Sequence, residues 1–193
     1  MQLTKRELPL QPTRPPTSRT AVLRDGKRVL LRPLRPTDRD MYLRGFEHLS
    51  PQTRYMRFFS PKLRLTDAEV HYFVDVDHHD HEAIAAVDMT TGEGVGVARY
   101  IRDPAQPGTA EISITVVDDH QGRGLGALLL EFVAERAAEE GVQRLRASVL
   151  ADNTRMLRLI RSRWPYHQVR RAPASVLELE FDLTPRHSAA LPG

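Results

Sequence analysis

The sequence of 193 residues predicts a single domain of the α/β class, a mixed sheet with helices on its faces. The segment VLELEFDL, residues 176–183, alternates strictly between apolar and polar residues, which is typical of a half-buried strand. The segment from about Gly124 to Glu140 carries apolar residues at helical spacing and glutamates, among them Glu140, on the solvent side. No internal repeat interrupts this pattern, so one domain is expected over residues 21–184.

Local signals predict the remaining elements in chain order. A β-rich run over 28–34 follows an Asp-Gly turn, and three helices are expected next. These helices begin near Thr37 or Asp38, at Ser50-Pro51, and at the capping-box pair Thr66 and Glu69. Two strands joined by TGE, a third strand TAEISITVV, the strand VQRLRASVL and a short helix DNTRMLRLIRSR complete the domain.

The two ends of the chain differ in composition from this domain. Residues 1–20 are basic and rich in proline, and they carry the whole formal net charge of +3. Such a segment buries too little apolar surface to offset its ordering entropy, so we expect flexible tails at 1–20 and 185–193. The rest of the chain is formally neutral, which does not favour nucleic acid as a partner.

The composition excludes several classes of chemistry. The sequence has no cysteine, so it has no disulfide, thiolate metal site or cysteine nucleophile, and a reducing cytoplasm is the expected location. It has no apolar run of about 18 residues and no apolar segment typical of a secretory signal, so we expect no membrane contact. The histidine-rich segment 78–81 lacks the spacing of metal ligands; we expect a polar loop, with substrate contact second, and no metal.

A glycine-rich segment, DDHQGRGLGALLL at 118–130, follows a strand and leads into the long helix. Unpaired N–H groups at a helix N-terminus are a common binding site for phosphate. The spacing G-x-G-x-G of Gly122, Gly124 and Gly126 differs from the dinucleotide fingerprint, and no Gly-Lys-Ser/Thr of a P-loop follows. The open alternatives are a different phosphate ligand and a strand-to-helix turn without a ligand.

The segment Q-x-x-G-x-G at 121–126 resembles the acyl-coenzyme A loop of the GCN5-related N-acetyltransferases, the GNAT family. TAEISITV resembles the fourth strand of that family, and ADNTRML resembles its later asparagine motif. SPQTRYMRFF, GVGVARYIRDP and HQGRGLGALLL look like the catalytic domain of bacterial protein-lysine acetyltransferases of the Pat type. The resemblance covers roughly 28–183 and implies the GNAT fold, with a central, mostly antiparallel sheet flanked by helices.

The resemblance also implies acetyl-CoA as co-substrate and a set of residues that bind it. The loop N–H groups would hold the pyrophosphate with added charge from Arg123, and the backbones of Val116 and Val117 would meet the pantetheine arm. Asn153 would contact the same arm, although capping of the following helix is its structural alternative. The full set is Val116, Val117, Gln121, Gly122, Arg123, Gly124, Leu125, Gly126, Ala127 and Asn153.

Acetyl transfer to a lysine needs a base, because the pKa of a free lysine amine is about 10.4. Glu111 stands where the family has its acidic base, on the strand face that carries Ser113 and Thr115. A free glutamate carboxylate, with a pKa of about 4.3, is a weak base near neutral pH, so burial or a water relay is expected to assist. The structural alternative is a solvated strand glutamate. Ile160 stands where many relatives have a tyrosine acid, so the thiolate is expected to leave without a dedicated acid or with help from water.

The sequence therefore predicts an N-acetyltransferase that acts on a primary amine, foremost a protein lysine, by direct transfer with Glu111 as general base. A small-amine acetyltransferase and a non-catalytic acyl-CoA-binding module remain alternatives, the latter because of Ile160. A homodimer is expected at the level of the family. The arginines of the C-terminal region are expected to pair with acids elsewhere, or else to meet the coenzyme 3′-phosphate or an acidic protein surface: Arg155, Arg158, Arg161, Arg163, Arg170 and Arg171.

Overall fold

The computed structural model describes residues 17–165 and 167–183. One eight-stranded sheet has the strand order β1-β2-β3-β4-β5-β6-β8-β7. The strands are β1 Arg19–Val22, β2 Arg28–Pro33, β3 His81–Asp88, β4 Gly94–Asp103, β5 Gln106–Val116, β6 Arg144–Leu150, β7 Gln168–Ala172 and β8 Val176–Asp182. The helices are α1 Arg39–Glu47, α2 Pro51–Phe58, α3 Asp67–Val74, α4 Leu125–Glu139 and α5 Thr154–Arg163.

The sheet is antiparallel at every pair of neighbouring strands except β5 and β6, which run parallel. A parallel pair needs a crossover connection, and α4 supplies it between β5 and β6. The predicted mixed sheet, mostly antiparallel and flanked by helices, is thus confirmed.

Two hydrophobic cores hold the helices on opposite faces of the sheet. On one face, α4 and α5 bury Leu125, Leu129, Phe132, Leu157 and Ile160 against the strands. On the other face, the N-terminal helices pack over the β2–β4 part of the sheet, where a second core forms around buried Val70 and Val74. Among residues 17–165 and 167–183, no helix covers β6, β8 and β7 on this second face, where an open cleft lies.

The sequence prediction missed two strands, and both lie at an edge of the sheet. The edge strand β1 begins at Arg19, so two residues of the predicted 1–20 tail belong to the sheet. The edge strand β7 is exposed along most of its length and therefore lacks the alternation that identifies β8. The other tail residues, 1–16 and 184–193, lie outside the described residues.

The predicted helix caps are confirmed at α2 and α3 but not at α1. The Ser50 and Thr66 side chains accept hydrogen bonds from the N–H groups of Thr53 and Glu69. The carboxylate of Asp38 is instead bonded by the guanidinium of Arg32, at 2.6 and 2.7 Å. Competition from a nearby cation thus removes a cap that the local sequence predicts.

The expectation that Glu140 lies on the solvent side of α4 was wrong. Glu140 is buried, and its carboxylate lies 3.0 Å from Arg136 and 2.8 Å from Nδ1 of His79. The pairing offsets the cost of burying the charge, and His79 comes from a loop that periodicity along α4 cannot reveal.

Candidate active site

A wedge opens in the sheet between β5 and β6. The two strands pair only over 109–111 and 144–146, although both continue beyond this point within the described chain. Residues 112–116 keep β4 as their partner on the far side, and residues 147–150 keep β8. The inner edges of β5 and β6 therefore diverge from Glu111, which stands at the apex of the wedge.

Alternate residues of β5 point their backbone groups into this wedge. The N–H of Val117 donates to the carbonyl of Val95 in β4, at 3.0 Å. Because bonded and non-bonded pairs alternate in an antiparallel ladder, the N–H and C=O groups of Ile112, Ile114 and Val116 face β6. These groups are suited to bind an extended, amide-bearing ligand as an added strand would be bound.

The two valines predicted to meet the pantetheine arm differ in their backbone contacts: the N–H of Val116 has no partner in the described part of the chain, while its carbonyl accepts from Nε2 of Gln121 at 3.1 Å. Both backbone groups of Val117 are occupied, since its carbonyl also accepts the N–H of His120 at 2.8 Å. Its side chain is buried with Phe46 and Leu49. Ile114, which the sequence analysis did not select, offers its backbone to the wedge instead.

The glycine-rich loop lies at the open end of β5 and presents a row of free N–H groups. Gly124 has φ +95° and is the N-cap of α4, a conformation that L side chains rarely adopt. The N–H groups of residues 122–126 donate to no acceptor in the described part of the chain. The N–H of Ala127 is already bonded to the carbonyl of Gly124 at 3.1 Å and is therefore not one of these free donors. The five free donors at a helix N-terminus form a suitable site for a pyrophosphate.

Gln121, predicted as a ligand residue, holds the loop in place. Its Nε2 donates to the carbonyl of Val116 at 3.1 Å and to Oγ1 of Thr53 at 3.3 Å. Its Oε1 accepts from Arg155 at 2.9 Å. Both ends of the amide are thus engaged, and the side chain ties the end of β5 to α2 and α5.

A second set of hydrogen bonds anchors the loop through Asp118. Its carboxylate accepts from the N–H and hydroxyl of Ser50, each at 2.8 Å, and from the hydroxyl of Thr53 at 2.8 Å. Burial raises the pKa of Asp118, but these hydrogen bonds outweigh it, and the pKa lies below its ordinary value. The carboxylate therefore stays ionised and links the start of α2 to the loop.

Three arginines surround the free N–H groups. Arg123 forms a half-buried ion pair with Asp25, so its charge is shared rather than free. The stem of Arg24 lies beside Gly124, and Arg155 reaches the loop through Gln121. Sequence reasoning did not select Arg24, because the chain brings it to the loop from 100 residues away.

Asn153 caps α5, and its predicted contact with the pantetheine arm stays a prediction. Its Oδ1 accepts the N–H of Met156 at 3.1 Å and so caps α5. Its Nδ2 donates to no acceptor among residues 17–165 and 167–183. The cap and a ligand contact can therefore use different atoms of the same amide.

Glu111 faces an open cleft of about 600 Å³ on the uncovered face of the sheet. Its side chain is exposed, so the burial that was expected to assist a base is not found. Within the described chain its carboxylate has neither a hydrogen bond nor an ion pair. The cleft has a polar lining that comes from five strands and includes Arg102, Thr109, Arg146, Ser148, Glu178 and Glu180.

A small apolar cavity of about 50 Å³ lies between the sheet and helices α1 and α2. Its lining includes Tyr42, Phe46, Arg57, Phe58 and Thr115. Arg57 is the cationic group of this lining. The cavity is thus apolar with one cation, whereas the cleft that contains Glu111 is polar.

The position where many relatives have a tyrosine offers no acid. Ile160 is 2% exposed and packs in the core. Trp164 stacks on Phe181 at 4.4 Å between ring centroids, and its carbonyl lies 2.8 Å from Nδ1 of His167. His167 thus has a structural contact, and Tyr166 lies outside the described residues.

Two histidines of the histidine-rich segment, His78 and His79, belong to one ion-pair network, because Arg136 lies 3.4 Å from Glu82 and 3.0 Å from Glu140. His78 bonds Glu82 at 2.7 Å, His79 bonds Glu140 at 2.8 Å, and His81 lies 3.0 Å from Arg99. No group of three or more acidic or histidine side chains in the described part of the chain could hold a metal ion. No helix within the same residues is long and apolar enough to span a bilayer.

The sequence resemblance implied a glycine-rich loop that follows a strand and opens a helix, and the structure has this order of elements between β5 and α4. A family model described as the acetyltransferase (GNAT) domain matches residues 28–162. The chain therefore belongs to the GNAT family.

Two individual relatives within this family match most of this chain. Acetyltransferase Pat of Mycolicibacterium smegmatis is 36% identical over 138 residues, which are 72% of this chain and 41% of that protein. The GNAT domain of S. lividans PAT superposes with a TM-score of 0.78 at 34% identity, over 86% of this chain and 96% of that one. The chain thus spans about two fifths of the mycobacterial relative and nearly all of the S. lividans domain.

A more distant structure shares the fold. The acetyltransferase yncA from Salmonella typhimurium, solved with acetyl-CoA, superposes with a TM-score of 0.66 at 17% identity. The match covers 86% of this chain and 98% of that one. At this identity the likeness establishes the fold alone.

Proposed function

We infer that the protein transfers the acetyl group of acetyl-CoA to a primary amine, foremost a protein lysine, with Glu111 as general base. The observation that carries this proposal is the wedge between β5 and β6. It has Glu111 at its apex and free loop N–H groups at its open end. One elongated ligand with amide groups and a pyrophosphate matches this order of donors.

Different residues of the chain bind different parts of acetyl-CoA. The N–H groups of 122–126 hold the pyrophosphate, assisted by Arg24 and Arg123. The backbones of Ile114 and Val116 and the Nδ2 of Asn153 contact the pantetheine amides. The thioester carbon is thereby directed to the apex of the wedge, beside Glu111.

The carboxylate of Glu111 accepts a proton from the acceptor ammonium, directly or through water, and leaves a nucleophilic amine. The amine attacks the thioester carbon, the C–S bond breaks so that coenzyme A leaves as a thiolate, and the acylated nitrogen loses its extra proton to water. A thiol has an ordinary pKa of about 8.5, so the thiolate departs without a dedicated acid and takes a proton from water. This route agrees with the burial of Ile160.

The shape of the acceptor side supports a polypeptide acceptor. The cleft that contains Glu111 is open, has a volume of about 600 Å³ and is lined by polar side chains. An extended peptide can lie across such a surface and present one lysine to Glu111. A deep, closed pocket would instead favour a small amine.

The test is an acetylation assay with lysine-bearing proteins and polyamines, followed by thiol release and by mass spectrometry of the products. Glu111→Gln should lower kcat/KM by about 10² to 10⁴, the usual contribution of general base catalysis, while acetyl-CoA still binds. Glu47→Gln, a matched change at an exposed helix position outside the cleft, should leave the rate unchanged. An equal rate in Glu111→Gln and wild type would exclude Glu111 as the base.

The exposed Glu111 and the buried Ile160 also fit a second candidate, a module that binds acyl-CoA without turnover. This candidate predicts tight coenzyme binding with no thiol release on any protein or polyamine. The same assay separates the two functions.

A further inference from the structure

Two arginines beside the apolar cavity have no carboxylate partner. Arg99 of β4 is 2% exposed and bonds the carbonyl of Phe73 at 3.2 Å, His81 at 3.0 Å and the hydroxyl of Tyr42 at 3.4 Å. Among the described residues, Arg99 forms no ion pair. A buried guanidinium without a counter-charge carries a desolvation cost that its neutral partners offset only in part.

Arg57 of α2 makes fewer polar contacts than Arg99. Its guanidinium lies over the ring of Phe58 at 5.1 Å and that of Phe73 at 6.0 Å, and it lines the apolar cavity. Within residues 17–165 and 167–183 it has neither a hydrogen bond nor an ion pair. Its five N–H donors are thus held at the cavity by aromatic contacts and are free to bind a ligand.

Positive charge predominates in the cluster formed by Arg57, Arg99 and His81. Burial lowers the pKa of Arg57, and the charge of Arg99 lowers it further, while the attraction of Glu111 acts in the opposite direction. Burial and the same charge of Arg99 lower the pKa of His81 to about 4, so His81 is neutral near pH 7. The cluster therefore holds two positive charges beside the cavity, and Glu111, needed as a base, is not bonded to either.

We propose that Arg57 binds a carboxylate carried by the acceptor, and so selects amines that bear an anionic group. The inference rests on the proposed acetyl transfer to an amine. The cavity shares Thr115 with the strand face that carries Glu111, so an acceptor can extend from Glu111 toward Arg57. The planar guanidinium fork of arginine matches a carboxylate, which makes this group the expected ligand.

A carboxylate at this position has two possible sources. It can be the α-carboxylate of a free amino acid, or the side chain of an acidic residue next to a lysine in a polypeptide. Both sources place the same chemistry at Arg57, and acceptor pairs distinguish them. L-lysine and cadaverine differ in the α-carboxylate, whereas two lysine peptides with glutamate or glutamine beside the lysine differ in the side-chain carboxylate.

The experiment measures kcat/KM for both pairs in wild type, Arg57→Gln, Arg57→Lys and Arg44→Gln. Wild type should prefer the carboxylated member of at least one pair by about tenfold, the usual contribution of one charge-assisted hydrogen bond. Arg57→Gln should bring that ratio close to one, and Arg57→Lys should restore part of it. Arg44→Gln, which removes a charge from an exposed ion pair on α1, should keep the wild-type ratio.

A binding measurement separates failure of this inference from failure of the proposed function. Nε-acetyl-lysine and N-acetylcadaverine, and the two acetylated peptides, are titrated into wild type and Arg57→Gln in the presence of coenzyme A. Tighter binding of a carboxylated product by wild type alone supports the anion site even if no amine is acetylated. Equal affinities within both pairs, or an equal loss for charged and neutral ligands in Arg57→Gln, would overturn it.

Discussion

At the scale of single residues, Asn153 combines a structural contact with a proposed ligand contact. Its Oδ1 caps α5 through the N–H of Met156, while its Nδ2 remains available for the pantetheine arm. The two contributions can be separated, because a serine hydroxyl also caps a helix but has no amide group to replace Nδ2.

We predict that Asn153→Ala lowers the free energy of unfolding by about 1 kcal/mol, because the cap is lost. Asn153→Ser should unfold close to wild type. Both variants should bind acetyl-CoA more weakly, by about five- to tenfold for one lost hydrogen bond. Urea denaturation measures the stability, and calorimetric titration measures the affinity. Wild-type affinity in Asn153→Ser would show that Asn153 is a cap and nothing more.

The sequence predicts which residues form the candidate site, but it does not predict their hydrogen-bond partners. Gln121 belongs to a motif and was expected to bind ligand, yet Thr53 and Arg155 occupy its amide. These partners come from helices 68 and 34 residues away in the chain. Arg57 could not be recognised for the same reason, since what distinguishes it is the lack of a partner in three dimensions.

At the scale of elements, the junction of the loop and α4 explains the glycine spacing. Gly124 needs its positive φ to begin the helix, whereas Gly126 lies within the first turn of α4. A Cβ at Gly126 would meet Leu159 at 3.5 Å, an ordinary contact. The protein alone therefore tolerates a side chain at 126, so the stability of the fold does not by itself require glycine there.

We predict opposite stability effects for two alanine substitutions in this junction. Gly126→Ala should stabilise the apo protein by about 0.5 to 1 kcal/mol, because alanine favours the helix. Gly124→Ala should destabilise it by about 1 to 2 kcal/mol, because φ becomes strained. Both should weaken coenzyme binding. Thermal unfolding without ligand and acetyl-CoA titration provide the two measurements, and normal affinity in Gly126→Ala would contradict a close backbone approach.

The contact of β3 and β4 at His81 and Arg99 predicts how stability depends on pH. The pKa of His81 lies near 4 in the folded chain and near 6.5 when unfolded, so between these values only the unfolded chain gains the proton. Stability is therefore lost as pH falls through this range. Urea denaturation should show this loss in wild type and a smaller one in His81→Gln. Identical pH slopes in the two proteins would contradict the assignment.

Elements with local signals were predictable, and those defined by distant partners were not. Ser50 and Thr66 begin their helices as the capping rules require, because each bond closes within three residues. The cap expected at Asp38 was lost to Arg32, and the edge strands β1 and β7 carry no strong periodicity.

At the scale of the whole molecule, the proposed coenzyme site depends on where the parallel pairing of β5 and β6 ends. The order of predicted elements indicates a mixed sheet, but it does not indicate that β5 and β6 stop pairing after Glu111. The sequences of β5 and β6 alone do not predict where the two strands separate. The wedge is nevertheless what joins the predicted loop and the predicted base into one site.

The most direct test of this account is amide hydrogen exchange with and without saturating coenzyme A. We predict that binding protects the N–H groups of Ile114, Val116 and residues 122–126, which have no partner among the residues that the structure describes. The N–H of Val117, already bonded to β4, should change little. Protection confined to other segments, or no protection at 112–116 while the coenzyme is bound, would contradict a coenzyme site in the wedge.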